Sequence, residues 1–300
     1  MVREFRKIHG IKITEKIYVF FDEITYKESY QQQLKNLYDE WNIKIYATSS
    51  ASSVLKDSKA FLTGRSRLLE IMPLDFDEYL LFKNITISKA EGYLYEKYFE
   101  QYMSDWWIPE YVLYGEIGYI KALVDDIMYK DIIAYHNIKE KTTIKEFFLL
   151  LLERCGKPIS INKLANILWI SPDTSARFLW YFIDTYLFYL LPRCGKLNET
   201  IRSSKKLYCG DVGIKNAFLW FKDKWSVYEN LIYLKLKKHT PCYYYQDETE
   251  LDFIANKTLI EAKYGQELND KQKKLFDKFP WKKYVIQWYE WYTSIDDMVL

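Results

Sequence analysis

Glycine is scarce, with ten in 300 residues. None stands in the pattern Gly-x-x-x-x-Gly-Lys-[Ser/Thr], in which glycines let backbone amides wrap phosphates while a lysine neutralises them. Gly156-Lys157 runs into Pro158 and Gly195-Lys196 into Leu197, so neither can serve. Cysteine is scarcer: Cys155, Cys194, Cys209 and Cys242 are far apart, with no Cys-x-x-Cys pair. That spacing argues against zinc and for reduced thiols in the core of a cytoplasmic protein. Long apolar runs are missing as well. The run 147–152 is too short to span a bilayer and 178–191 is broken by Asp184, so no membrane association is expected. Met1-Val2-Arg3-Glu4-Phe5-Arg6 lacks the apolar core of a signal peptide. Neither sign of charge dominates: the net charge is +2, so any nucleic-acid contact must come from local patches. No internal repeat or low-complexity linker is visible.

What is present reads as an ordinary globular chain, 49% hydrophobic and 28% charged. The length suits about two domains. Twenty-eight Tyr and ten Trp imply large, well-filled cores. Abundant Lys, Ile and Tyr beside few Gly suit a heat-adapted organism.

Over 1–90, strands alternate with helices. The expected elements are a strand at 16–21, a polar-faced helix at 27–41, a strand at 43–47, a third strand at 66–72 and a helix near 75–82. Continuous apolar strands separated by a helix predict a parallel sheet covered on both faces. Helical periodicity follows over 88–140, then three helices at 142–154, 161–170 and 172–191. Ser171-Pro172-Asp173 supplies an N-cap and a first-turn proline for the last. With the basic, hairpin-like segment 196–206 these helices read as a winged helix-turn-helix. A helix near 227–238 and strands at 242–246, 251–255, 258–264 and 284–291 complete the chain.

The apolar run Ile17-Tyr18-Val19-Phe20-Phe21 ends in Asp22-Glu23. An Asp-Glu pair at the end of a buried strand is how a Walker B strand reads, the Asp holding the Mg²⁺ of ATP and the Glu orienting or deprotonating the attacking water. Taken alone, the pair fits equally a strand running into a charged loop. The next strand, 43–47, ends in Thr48-Ser49-Ser50-Ala51-Ser52-Ser53, hydroxyls at the tip expected beside Walker B. Two adjacent tips meet at the carboxyl edge of the sheet, where α/β proteins bind ligands.

Asp22-Glu23-Ile24, Ala47-Thr48-Ser49-Ser50, Leu62-Thr63-Gly64-Arg65 and Pro73-Leu74-Asp75-Phe76-Asp77-Glu78 occur in this order. Together they resemble a family of prokaryotic AAA-type ATPases ending in a domain of unknown function numbered 4143. Trp107-Ile108-Pro109-Glu110, Asp211-Val212-Gly213 and Glu229-Asn230 extend the resemblance over essentially the whole chain. It implies Asp22 as the Mg²⁺–ATP ligand, Glu23 as the base, and Thr48 or Ser49 as the sensor. Arg65 becomes an arginine reaching the γ-phosphate, or a plain surface ion pair. Family members carry a phosphate-loop strand, its helix and another strand before Walker B, and Asp22 stands too near Met1 for these. The expectation is a truncated ATPase, impaired in ATP binding and hydrolysis, with a sticky sheet edge. Its partner would be the missing phosphate-loop fragment or a second copy of the chain.

Two further constellations stand out. Lys196, Arg202, Lys205 and Lys206 are placed to touch phosphates from a wing, or simply to decorate a domain-packing scaffold, the reading favoured by the apolar circumference of 176–191. In the C-terminal part, a two-residue turn at Asn256-Lys257 would pair Ala255 with Thr258 and set Asp252 opposite Glu261, with Lys263 on the same face. Two facing carboxylates and a lysine make a cation site or an ordinary charged strand face. With Glu229 the order Glu, Asp, Glu-x-Lys resembles the PD-(D/E)xK nucleases. There the acids, here Glu229, Asp252 and Glu261, bind Mg²⁺ and the lysine, here Lys263, handles water.

The expected fold is therefore α/β in three parts: a truncated parallel-sheet P-loop domain of AAA type (1–90), a helical and winged-helix middle (91–208) and an α/β nuclease-like domain (209–300). The alternative to the ATPase is a Mg²⁺-dependent DNA-binding or DNA-cleaving module working without ATP.

Overall fold

Ile17–Phe21 (β1) and Ile43–Ala47 (β2) pair in parallel, Ile17 opposite Ile43 and Phe21 opposite Ala47. The computed structural model describes residues 2–24, 27, 29–40, 42–50, 64–219 and 223–299. Trp41, Ala51-Ser52-Ser53 and Leu62-Thr63 lie outside them. The described residues fall into two units, Met1–Ile71 and Met72–Leu300.

In the first unit, Val2–His9 (α1) buries Val2 and Arg6, and Arg6 Nη2 donates to the carbonyl of Asn42 at 3.1 Å. The connection between the strands is Tyr30–Glu40 (α2). Tyr30 and Leu34 of α2 pack with Phe21, Ile24 and Ile45 in a small core. Burial along β1 alternates, so α2 covers one face only. The other face presents Tyr18, Phe20 and Tyr46 to solvent, with Phe20 and Tyr46 stacked at 5.0 Å. The parallel pairing is as expected, and the two-sided cover is not found among the described residues. Nor is the strand at 66–72: these residues have no ladder partner.

In the second unit Phe76–Phe82 (α3) starts from a capping box, Asp75 Oδ1 accepting from the Glu78 amide and Glu78 Oε2 from the Asp75 amide, both at 2.9 Å. Leu94–Ser104 (α4), Pro109–Tyr114 (α5) and Ile117–Asp126 (α6, continued by a wider turn to Ala134) follow. Then come Lys141–Glu153 (α7), Ile161–Leu168 (α8) and Pro172–Asp184 (α9). Ser160 and Ser171 cap α8 and α9. The last expected helix stops well short of 191. Thr185 leaves helical geometry, Tyr186 takes a positive φ of 60°, and the apolar run turns into a strand, Phe188–Leu191 (β3). β3 pairs antiparallel with Lys206–Cys209 (β4). The segment between them is no simple hairpin, because it holds the helix Leu197–Arg202 (α10).

Val212–Leu219 (α11) and Lys224–Leu236 (α12) lead into a four-stranded sheet: Cys242–Gln246 (β5), Thr249–Ala255 (β6), Thr258–Ala262 (β7) and Lys282–Ile286 (β8). The strands lie in the order β5-β6-β7-β8, the first three antiparallel and β8 parallel to β7. Asp270–Asp277 (α13) makes the crossover, and Tyr289–Thr293 (α14) and Ile295–Val299 (α15) end the chain. The strand expected over 284–291 therefore ends at Ile286. Asn256 and Lys257 both take positive φ, 47° and 59°, the conformation of a type I′ hairpin turn. Ala255 pairs with Thr258 as anticipated.

One core joins Phe76, Phe99, Tyr102 and Trp107 with Tyr208, Tyr228, Ile232, Phe253, Ile260 and Ile295. A second gathers Phe147, Phe148, Leu151, Phe182 and Phe188 between the middle helices.

Cys194 and Cys242 form a disulfide, with Cα atoms 5.2 Å apart, which corrects the expectation of four reduced thiols. Cys194 N donates to Tyr243 O (2.7 Å) and Tyr243 N to Pro192 O (3.0 Å), a strand-like pairing across 48 residues that spacing alone does not disclose. Cys155 and Cys209 are free and buried. The thiol-based argument for a cytoplasmic home falls with this correction. Among the described residues no helix is long and apolar enough to cross a membrane.

Candidate functional site

In the first unit the tips of β1 and β2 meet as their sequence implied. The Thr48 hydroxyl donates to Asp22 Oδ1 at 2.7 Å and accepts from the Glu23 amide at 3.0 Å. Glu23 adopts a positive φ of 46°, which bends the chain out of β1. Its carboxylate then accepts from the Ser50 amide (3.3 Å) and hydroxyl (3.4 Å). Asp22 and Thr48 are exposed, and Glu23 and Ser49 half-buried. Arg65 pairs with Asp39 of α2 at 2.9 Å, the surface ion pair of the two readings left open by the sequence.

In the second unit the expected C-terminal residues converge, and they are buried. Glu229 and Glu261 have no exposed surface, and Asp252 and Lys263 very little. The hairpin register brings Asp252 to Glu261: the Asp252 amide donates to Glu261 Oε2, and Asp252 Oδ2 accepts from the Ala262 amide, both at 3.0 Å. Lys263 Nζ lies 3.1 Å from Glu261 Oε1, which also accepts from Gln272 of α13 at 2.9 Å. Burial pushes the Glu261 carboxyl up to about 8, helped by the charge of Asp252 and opposed by Lys263. Burial likewise raises Asp252 and Glu229, against the pull of Lys206.

Lys206 is the residue that sequence reasoning misassigned. Placed on a wing as a phosphate contact, it is fully buried at the start of β4. Its ammonium lies 2.6 Å from Glu229 Oε1, 2.7 Å from Glu250 Oε1 and 3.7 Å from Asp252 Oδ1. Tyr208, two residues on and on the same face of β4, donates its hydroxyl to Glu229 Oε1 at 2.6 Å. Burial works against the charge of Lys206. The attraction of Glu229, Tyr208, Asp252 and Glu250 outweighs it and holds the ammonium charged well beyond the usual lysine range. Lys196 and Arg202 remain exposed, and Lys205 is half-buried. Glu250 and Gln272 were also missed. A signal existed for Glu250, which shares the Asp252 face by period-two alternation.

Among the described residues no three His, Cys, Asp or Glu side chains stand together so as to hold a metal ion. In the C-terminal cluster an ammonium group occupies the centre of the acids.

The other motif residues fasten the fold. Asp211 Oδ2 accepts from the Trp107 amide (3.0 Å) and Oδ1 from the Gly213 amide (2.7 Å). A Cβ on Gly213 would fall 2.3 Å from Cγ of Trp106, so only glycine fits beneath that indole. Asn230 bonds both backbone groups of Cys209, at 2.8 and 2.9 Å, docking α12 on β4.

Residues 1–80 match the model of the AAA domain, and residues 109–224 match a Domain of unknown function (DUF8612). The front of the chain is thus AAA-ATPase-like in sequence. The chain is 32% identical to the uncharacterized protein MJ1544 of Methanocaldococcus jannaschii over 88% of its own length and 64% of the relative's. It is 29% identical to MJ1637 of the same organism, over 74% of this chain and 52% of that one. An uncharacterized protein of Haemophilus influenzae is 25% identical over 81% and 64%. The chain thus spans between half and two thirds of the length of these relatives. No solved structure matches it significantly.

Proposed function

We propose that this chain carries the metal and water side of an AAA-type ATPase site and depends on a phosphate loop from outside its own 300 residues. The observation that carries this reading is the Thr48 hydroxyl, bonded at once to the Asp22 carboxylate and the Glu23 amide. In that arrangement Asp22 is the Mg²⁺ ligand, Glu23 orients or deprotonates the water, and the hydroxyls of Thr48 and Ser49 face the γ-phosphate. Without glycine-rich backbone to wrap the phosphates, these groups bind Mg²⁺–ATP weakly. The test is calorimetric titration of Mg²⁺–ATP into the purified chain, with phosphate release measured for wild type and Glu23→Gln. The expected result is no appreciable binding or turnover by the chain alone. Micromolar binding with turnover lost in Glu23→Gln would overturn the dependence on an outside loop.

A second reading rests on the C-terminal unit. The order α12-β5-β6-β7-α13-β8, with Glu229, Asp252 and Glu261-x-Lys263 meeting beside β6 and β7, supports a PD-(D/E)xK-like fold. Here the acids would take Mg²⁺, and Lys263 would position the water that attacks a phosphodiester. DNA would be its substrate, approached past the exposed Lys196 and Arg202. Incubation with single- and double-stranded DNA and Mg²⁺ or Mn²⁺ tests this, with Lys263→Ala as the inactive control. Equal cleavage by both proteins, or none by either, counts against it.

A further inference from the structure

Four carboxylates, Glu229, Glu250, Asp252 and Glu261, face two ammonium groups in the C-terminal cluster, Lys206 and Lys263. Lys263 attends Glu261 alone among them. Lys206 comes from a separate two-stranded hairpin and reaches three of the four acids. The second oxygen of Glu229, Oε2, is buried with no hydrogen-bond partner among the described residues, although such a group is costly to leave unmatched. The carbonyl of Ala262, beside Glu261, accepts from Trp225 Nε1 at 3.1 Å, and Lys263 Nζ lies 5.7 Å above the same indole. The acids are therefore filled from the β4 side by an ammonium and capped near Ala262 by an indole.

We propose that Lys206 is a tethered ammonium occupying a divalent-cation site made by Glu229, Glu250 and Asp252, and that this site accepts a metal only when Lys206 is withdrawn. The inference rests on the carboxylate grouping of the second reading, but not on any cleavage. A buried lysine ringed by acids is weak evidence for stability, since apolar residues of similar volume fill such space as well or better. It makes a suitable latch. An ammonium supplies one charge and hydrogen bonds near 2.7 Å, whereas a divalent ion supplies two charges and draws oxygens in to about 2.0–2.6 Å. Lys206 is the first residue of β4 and forms the last pair of its hairpin, opposite Leu191. Fraying of that pair is the smallest movement that would lift the ammonium out.

The experiment titrates Mn²⁺ into the full chain, read by the electron-spin-resonance signal of free Mn²⁺ and by thermal melts. Wild type, Lys206→Ala, Lys206→Met and Lys206→Ala/Asp252→Asn are compared. Wild type should show little uptake and no shift in its melt. Lys206→Ala and Lys206→Met should melt lower in chelator, bind Mn²⁺ at least about tenfold more tightly than wild type, and regain stability as the ion binds. Adding Asp252→Asn should remove the gain. Equal or tighter binding by wild type overturns the proposal, as does binding that survives Asp252→Asn. Lys206 variants that stay unfolded even in Mn²⁺ also overturn it, because the ion is held to replace the ammonium. Mn²⁺ uptake by Lys206→Ala without DNA cleavage leaves the latch standing and sinks the nuclease reading instead.

Discussion

Lys206 Nζ lies 2.6 Å from Glu229 Oε1, and neither side chain has any exposed surface. The contact ties β4, in the hairpin that follows α9, to α12, the helix that opens the C-terminal sheet. Removing one partner of such a pair strands the other charge in a medium that cannot solvate it. Glu229→Ala should therefore cost about 3–5 kcal/mol of unfolding free energy. A double variant that exchanges both charges for neutral groups, Lys206→Met with Glu229→Gln, should lose much less than the sum of the single changes. Urea melts of the four proteins measure the coupling, and strict additivity would contradict the pairing.

Gly213 sits under the indole of Trp106, with a virtual Cβ 2.3 Å from Cγ. Gly213→Ala should destabilise by about 1–3 kcal/mol or more, the cost of forcing a methyl group into a filled core. Trp106→Leu in the same chain should recover part of that loss by making room. Thermal melts decide this, and an unchanged midpoint for Gly213→Ala would refute the packing argument.

Asp211 offers a pH test. Burial lifts its carboxyl to about 7, against the downward pull of the Trp107 and Gly213 amides, and Asp105 adds a further upward push. Because the folded value lies above the ordinary 3.8, the native state holds the proton more tightly than the unfolded chain. The contribution to stability is complete below pH 3.8 and is lost as pH rises through about 7. Within that window it falls by up to about 1.4 kcal/mol per pH unit. Asp211→Asn should be less stable overall, having one acceptor fewer, and should lack this slope. Urea melts on either side of the window, for wild type and variant, report the difference.

The uncovered face of the first unit predicts association. Tyr18, Phe20 and Tyr46 are 59%, 74% and 46% exposed on a two-stranded parallel sheet, and exposed aromatic surface of this kind marks contact sites. The chain should self-associate, or take up a fragment carrying further strands, with Phe20→Ser/Tyr46→Ser reducing the association. Sedimentation velocity over a range of concentrations checks it. A monomeric wild type indistinguishable from the variant would remove the argument.

Local pattern sufficed wherever a feature is made by neighbours in the chain. The strands 17–21 and 43–47, the serine caps of α8 and α9, the Asn256-Lys257 turn and the facing of Asp252 and Glu261 all follow from period, caps and turn chemistry within a few residues. The same holds for the Asp22-Glu23 pair at a strand tip. The tertiary structure alone decided what depends on distant partners. The 172–191 helix breaks because β3 finds β4, and the Cys194–Cys242 bridge forms because segments 48 residues apart run side by side. Asp75 and Glu78 serve as a helix cap, and Arg65 answers to Asp39. Lys206 shows the division most plainly. In sequence it is one of four basic residues suited to a surface, and only the fold surrounds it with acids at 2.6 and 2.7 Å. A charge reads as solvated until its environment is known, because burial and pairing are properties of the packed chain and leave no mark on the residue's neighbours in sequence.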